Sequence, residues 1–414
     1  MLSARGRVVL ALGAFCWFAA VFFGSLALYP VAAGLVLAVP LALAWVRVSV
    51  RRPEVRRRWS REDLVEGDDV RVELVLARDS RAPLPDVVAH ESVGRLGDRE
   101  VALRPRGRGG YVGRYRLDRV PRGRHRFAPV RFAVADPFGL AEATLAVDEQ
   151  QALVVYPRLT ELERLFFDGG VGPNDGHRLL LRRPVGYELH SVREHQQGES
   201  LRRVHWPSTA HRGVLMVKEL EDAPRDEVAV LLDGDAAGVA GRPPDSSFDA
   251  AVRAAGSILL AQVRRGRRSI LALNTAGRET QAVTSDGPEW QRALELLAAA
   301  EPDARTPAAG LLDSGVGPAA RSLELVVVTS RIEPGLVSRL LERALTRRPV
   351  ALVHVDAASF AHGPRRPEPG LLRLQAAGVP IAVVRHGDHL AEALKGARAP
   401  DDSKRHNVTE AAGA

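Results

Sequence analysis

The sequence predicts three parts in series: two N-terminal transmembrane helices, a β-sandwich-like domain, and an α/β doubly wound parallel sheet. Three observations carry this reading. Val8 to Val46 hold no charged side chain over 39 positions, residues 62–157 read as short strands separated by turns, and residues after Asp226 alternate compact apolar strands with helical runs. A chain of 414 residues exceeds the roughly 100–200 residues of one ordinary core, so more than one unit is expected. With 46% hydrophobic and 26% charged residues the chain is globular rather than disordered. Its single cysteine, Cys16, excludes an intramolecular disulfide, a cysteine zinc cluster and thiol catalysis in the soluble part. The formal charge is +8, yet only Lys218, Lys395 and Lys404 among the 58 basic residues are lysine. That skew points to a high-GC coding bias before it points to nucleic acid.

As one helix the uncharged run would be about 58 Å long, roughly twice the hydrocarbon thickness of a bilayer, so it must fold back. Ser25 to Pro30 (SLALYP) supplies the expected break, since Pro30 lacks an amide proton and disfavours helix at Tyr29. The spans are then Val8 to Leu28 and Val31 to Val46, a hairpin occupying residues 1–48. Arg5 and Arg7 precede it, and Arg47, Arg51, Arg52, Arg56, Arg57, Arg58 and Arg61 follow it. The positive-inside rule places both termini, and everything after residue 47, in the cytoplasm at the inner membrane. The seven arginines are read as this topology signal in preference to a headgroup site. A cleaved signal peptide is the competing reading, disfavoured because a second apolar run begins at once.

Residues 49–160 form the β-sandwich-like domain. Strands are expected at Val70–Ala77, Val87–Glu91, Gly110–Leu117, Val130–Val134, Glu142–Val147 and Leu153–Tyr156. The breaks fall at Ala82–Asp86, Arg104–Gly110, Pro121–Gly123 and Asp136–Gly139. Residues 226–396 form the α/β domain. Its strands are expected at Glu227–Leu232, Ser269–Asn274, Leu323–Thr329, Val350–Val355 and Ile381–Val384, with helices at Phe248–Arg265, Glu289–Ala300, Gly335–Thr346, Leu371–Ala377 and Asp388–Leu394. Ligands of such sheets sit outside the carboxyl ends of the strands, the first of which is Asp233. Residues 397–414 read as a flexible tail.

Residues 161–225 form a linker that contains the most distinctive stretch, GYELHSVREHQQGESLRRVHWPSTAHRGVLMVKELE (Gly186 to Glu221). It closely resembles the signature of the bacterial domain of unknown function 58 family. Arg193, Gly198, Glu199, Arg202, Trp206, Ser208 and Ala210 occupy the signature positions, while His195 and His211 stand where an aromatic and an arginine are usual. The two apolar spans, RGRHRFAPV, DPFGL (Asp136 to Leu140) and VVYPRL are also similar to that family, and the C-terminal part resembles a von Willebrand factor type A-like module. The resemblance implies a MoxR-type AAA+ ATPase and a transglutaminase-like membrane protein as partners. In the residues themselves, interleaved arginines and glutamates suit a salt-bridged latch, and Trp206 among them suits a docking anchor.

Type A modules commonly bind a divalent cation through D-x-S-x-S with later Thr and Asp ligands. Here Asp233 stands, Asp235 replaces the first serine and Ala237 the second, while Arg331 follows Thr329 and would oppose a cation. Metal is therefore not expected, and any site would use Asp233 and Asp235. Five of the twelve histidines (His177, His190, His195, His205, His211) fall within 35 residues but lack H-E-x-x-H spacing. There is no P-loop and no G-x-S-x-G elbow, and the Gly-rich Arg104–Gly110 lacks the interleaved aromatics of an RNA site.

The expected function is a non-enzymatic, membrane-anchored interaction or scaffold protein without cofactor, partnering a MoxR-type ATPase in maturation of envelope or other protein complexes. The alternative is a cation-dependent switch or enzyme using Asp233 and Asp235. A third class, a nucleic-acid or anionic-lipid binder driven by net charge, would reveal itself by steep salt dependence.

Overall fold

The computed structural model describes residues 1–49, 53–61, 63–78, 87–107, 110–149, 151–168, 189–194, 204–220, 227–313, 317–364 and 368–395. The chain divides into two compact units, Met1–Arg158 and Leu159–Ala414. The tail expected at 397–414 lies outside the described residues.

The first unit opens with helices α1 (Ala4–Phe23) and α2 (Leu28–Ser49), both long and apolar enough to cross a membrane. Their burial runs opposite to that of a soluble helix pair. In α1 the buried residues are Gly6, Gly13 and Ala20, while Phe15, Phe18 and Phe22 are exposed, Phe22 to 83%. Gly13 lets the two helices approach, since a Cβ there would lie 3.0 Å from Val36 Cγ2, and the large apolar side chains form the outer surface. The break, at residues 24–27, overlaps the expected Ser25–Pro30 segment but starts one residue before it and ends three residues short of Pro30. Gly24 ends α1 in the left-handed conformation at φ 63°, and Pro30 lies in the first turn of α2, where proline removes no helical hydrogen bond.

A β region follows, with β1 (Glu54–Trp59), β2 (Leu64–Val65), β3 (Val70–Ala77), β4 (Val87–Ser92), β5 (Asp98–Arg106), β6 (Gly110–Leu117), β7 (Gly123–Arg126), β8 (Val130–Ala135), β9 (Glu142–Val147) and β10 (Ala152–Tyr156). Rather than the expected sandwich, one antiparallel sheet of order β1-β3-β6-β5-β4-β8-β9 curls on itself, beside a small β2-β10-β7 sheet. The ion pair between Arg57 on β1 and Glu91 on β4 demonstrates the curl, because four strand spacings in a flat sheet would hold them about 19 Å apart. Both side chains are fully buried, and the guanidinium also stacks over Phe127 at 4.7 Å. One of the seven arginines assigned to the topology signal is thus a core residue.

In the second unit β13 (Glu227–Asp233), β14 (Arg268–Asn274), β15 (Thr280–Val283), β16 (Glu324–Thr329), β17 (Val350–Val355) and β18 (Ile381–Val384) form one sheet of order β15-β14-β13-β16-β17-β18. Five strands are parallel as expected. The sheet is nonetheless mixed, because β15 returns antiparallel to β14 after only residues 275–279, too few for a crossover. Alternate residues of β13 enter different cores: Val228, Val230 and Leu232 pack on one face, Ala229 and Leu231 on the other. Helix Ser247–Arg264 covers the first face, started by a reciprocal cap between Ser246 and Asp249. Leu162 and Leu165 are buried in that same core. Two further strands, β11 (Leu189–Glu194) and β12 (Met216–Leu220), pair antiparallel around helix Trp206–Arg212.

Candidate functional site

Three adjacent strands of the α/β sheet end in polar residues that meet at its carboxyl edge: Asp233 on β13, Asn274 on β14 and Thr329 on β16. Strand register does the work, since Asp233 lies opposite Asn274, and Leu232, its neighbour, lies opposite Val328, the neighbour of Thr329. Asp233 is only 6% exposed. Its Oδ1 accepts from Asn274 Nδ2 at 2.8 Å and from the Asp235 N–H at 3.3 Å, and its Oδ2 accepts from the Thr329 hydroxyl at 2.8 Å. Burial pushes the Asp233 carboxyl above its ordinary range, outweighing the hydrogen bonds from Asn274 and Thr329 that favour its charged form. On the next strand His354, paired in register with Thr329, is also buried, and burial holds its protonation below the usual histidine range.

Asp235 faces outward and takes a different partner. Arg331 Nη1 donates to its Oδ2 at 2.7 Å and lies 3.3 Å from Glu333, while the Ala237 N–H caps its Oδ1 at 2.9 Å. The hydrogen bond to Asp235 raises the already high proton affinity of Arg331, so the guanidinium is a permanent cation. Gly238 permits this arrangement, because a Cβ there would lie 2.5 Å from Ser330 Oγ and 3.2 Å from Arg331 Cβ. The donor set does not fit a hard divalent cation. Asp233 spends both oxygens on internal donors, Asp235 is neutralised by Arg331, and Ala237 offers no ligand.

The signature segment behaves differently. Arg193 lies in β11 opposite Val217, while Gly198, Glu199 and Arg202, on which the latch reading depends, lie outside the described residues. Trp206 and Ser208 lie in helix Trp206–Arg212, which His205 caps. The Ser208 N–H donates to His205 Nδ1 at 3.3 Å, and the Ser208 hydroxyl lies 2.7 Å from the same nitrogen. His205 Nδ1 is thereby engaged in capping the helix. The Met216 N–H donates to Thr209 Oγ1 at 3.0 Å, and Gly213 closes the helix at φ 69°. This compact turn leaves Trp206 65% exposed, with Val214 and Leu215 exposed nearby in the chain.

Sequence reasoning named Asp233, Asp235, Thr329 and Arg331 but missed Asn274. The signal was present: Asn274 is the polar residue that ends a buried apolar strand, as Asp233 and Thr329 are.

Among solved structures, Cwp6 from Clostridium difficile aligns over 72% of this chain and 37% of its own at 9% identity. The TM-score of 0.16 is too low for that likeness to carry any argument. An uncharacterized protein of Bacillus subtilis (strain 168), YeaD, is 29% identical over 224 residues, covering 53% of this chain and 53% of the relative, so the match spans about half the length of that curated protein. Residues 191–376, from the signature hairpin through four of the five parallel strands to helix Pro369–Ala376, match the family model described as "Protein of unknown function DUF58".

Proposed function

We propose that this chain is a membrane-anchored, non-enzymatic binding module, with two spans holding a β domain and a von Willebrand factor type A-like domain in the cytoplasm at the inner membrane. The single observation that carries it is Trp206. A tryptophan left 65% exposed on a short, firmly capped helix costs solubility and is the residue type most enriched at binding hot spots. The carboxyl edge of the sheet supports the same reading from the other side, because its carboxylates are saturated by Asn274, Thr329 and Arg331. The alternative, a cation-dependent switch at Asp233 and Asp235, is opposed by the Arg331 charge. By its resemblance the partner is a MoxR-type AAA+ ATPase, with a transglutaminase-like membrane protein in the same assembly. The process is then maturation of envelope or other protein complexes.

Co-purification of the full chain from native membranes tests this. The ATPase should be recovered with the wild type and lost with Trp206→Ala, while equal recovery of both would refute Trp206 as the anchor. A reporter active only outside the cytoplasm, fused after Asp226, should be silent, and strong signal would reverse the topology.

A further inference from the structure

One exposed aromatic in the first unit has no place in the binding reading. Phe138, in the Asp136–Leu140 turn, is 78% exposed. The backbone that presents it is firmly held. The buried Asp136 carboxylate accepts the N–H of Phe138 at 2.8 Å and that of Ala141 at 2.6 Å, and Gly139 adopts φ 67°, which glycine tolerates. A turn this well satisfied presents Phe138 outward as a fixed feature, not as a mobile excursion.

The turn is also tied to the base of the helical hairpin. The Ser3 N–H donates to the Leu140 carbonyl at 3.0 Å and the Ser3 hydroxyl to the Gly139 carbonyl at 2.6 Å. Leu2 forms an antiparallel bridge with Ala141, and Leu140 and Ala141 pack with Ala42 and Val46 near the end of α2. Gly6, one turn into α1, is required by this contact, since any Cβ there would overlap the Leu140 carbonyl oxygen. Phe138 therefore stands level with the first turn of α1 and the last turns of α2. At that level the uncharged run ends and Arg5, Arg7 and Arg47 stand. Arg5 is beside the turn itself, its Nη1 3.4 Å from where a Cβ of Gly139 would lie. In a bilayer this depth is the headgroup region, where aromatic rings and arginines accumulate.

We infer that the Asp136–Leu140 turn is a lipid-binding site: the Phe138 ring inserts among the headgroups, Arg5 meets a lipid phosphate, and the β domain is fixed to the membrane surface rather than suspended from α2 alone. This rests on the membrane-anchored reading above. It adds a second, aromatic attachment point that is distant from the spans in sequence.

The test uses the full chain with Cys16→Ser, reconstituted in nanodiscs of phosphatidylcholine and phosphatidylglycerol. Nitroxides are placed one at a time at Phe15→Cys midway along α1, at Phe138→Cys, and at Asp98→Cys on the exposed start of β5. Collision rates with oxygen and with a water-soluble nickel complex report depth. Phe138 is exposed and makes no core contact, so its replacement leaves the fold intact. The inference predicts a depth at position 138 between the other two, with nickel access at least about threefold below that at position 98. Nickel access at 138 equal to that at 98, with position 15 lipid-buried, overturns this inference and leaves the membrane anchor standing. Water-like behaviour at all three positions overturns both.

Discussion

Among the described residues, two buried aspartates stand at strand ends, and they are satisfied in opposite ways. Asp136 follows β8 and is 2% exposed, with backbone N–H groups two and five residues away as its partners. Asp233 ends β13 with nearly the same burial, but its main partners are the side chains of Asn274 and Thr329, 41 and 96 residues away. The first aspartate shapes a turn and acts locally. The second locks three strands at the edge where α/β sheets bind ligands, with both of its oxygens taken by internal donors.

The largest effect is expected at Asp136. Asp136→Ala leaves two backbone donors without their acceptor, and thermal or denaturant unfolding should show a loss of about 2 to 4 kcal/mol. Asp136→Asn, which keeps one acceptor oxygen, should recover part of this. A loss below about 0.5 kcal/mol would show that the turn holds without its carboxylate.

Asp233 should respond with the opposite sign. Its folded carboxyl keeps its proton to higher pH than the unfolded one, whose ordinary value is 3.8. The unfolded state therefore binds fewer protons between the two values, and stability falls as pH rises through that window and levels off above it. Asp233→Asn removes this cost. The stability of the variant relative to wild type should rise with pH from about 4 upward, and be independent of pH below the ordinary carboxylate range. A relative stability that falls with pH would show that the charged form is the favoured one. In the same variants calorimetry with magnesium, manganese or calcium should detect no tight binding, whereas micromolar affinity lost in Asp233→Asn would restore the cation-switch reading.

These two aspartates also mark what sequence could and could not disclose. The turn at Asp136 was legible because D-P-F-G is local chemistry, and strands such as Val70–Ala77, Gly110–Leu117 and Val350–Val355 were legible because their side-chain pattern is their own. β1 was not, since EVRRRW reads as a charge run until Glu91 arrives to bury Arg57. β15 escaped because a four-residue polar edge strand has little apolar signal. The helical break was legible within Ser25–Pro30, but its start at Gly24, a left-handed C-cap, and the place of Pro30 inside the first turn of α2 were not. The role of the Asp136 turn at the base of the helices, and the meeting of Asn274 with Asp233, both depend on distant partners that no local pattern encodes.

The central claim, that partner binding runs through the signature helix and not through the sheet edge, is tested most directly by the affinity of the nanodisc-embedded full chain for the co-purified ATPase. Trp206→Ala should weaken binding about 30-fold, equivalent to about 2 kcal/mol, with an unchanged melting temperature, while Asp233→Asn should bind as wild type does. Wild-type affinity in Trp206→Ala together with lost binding in Asp233→Asn would contradict it.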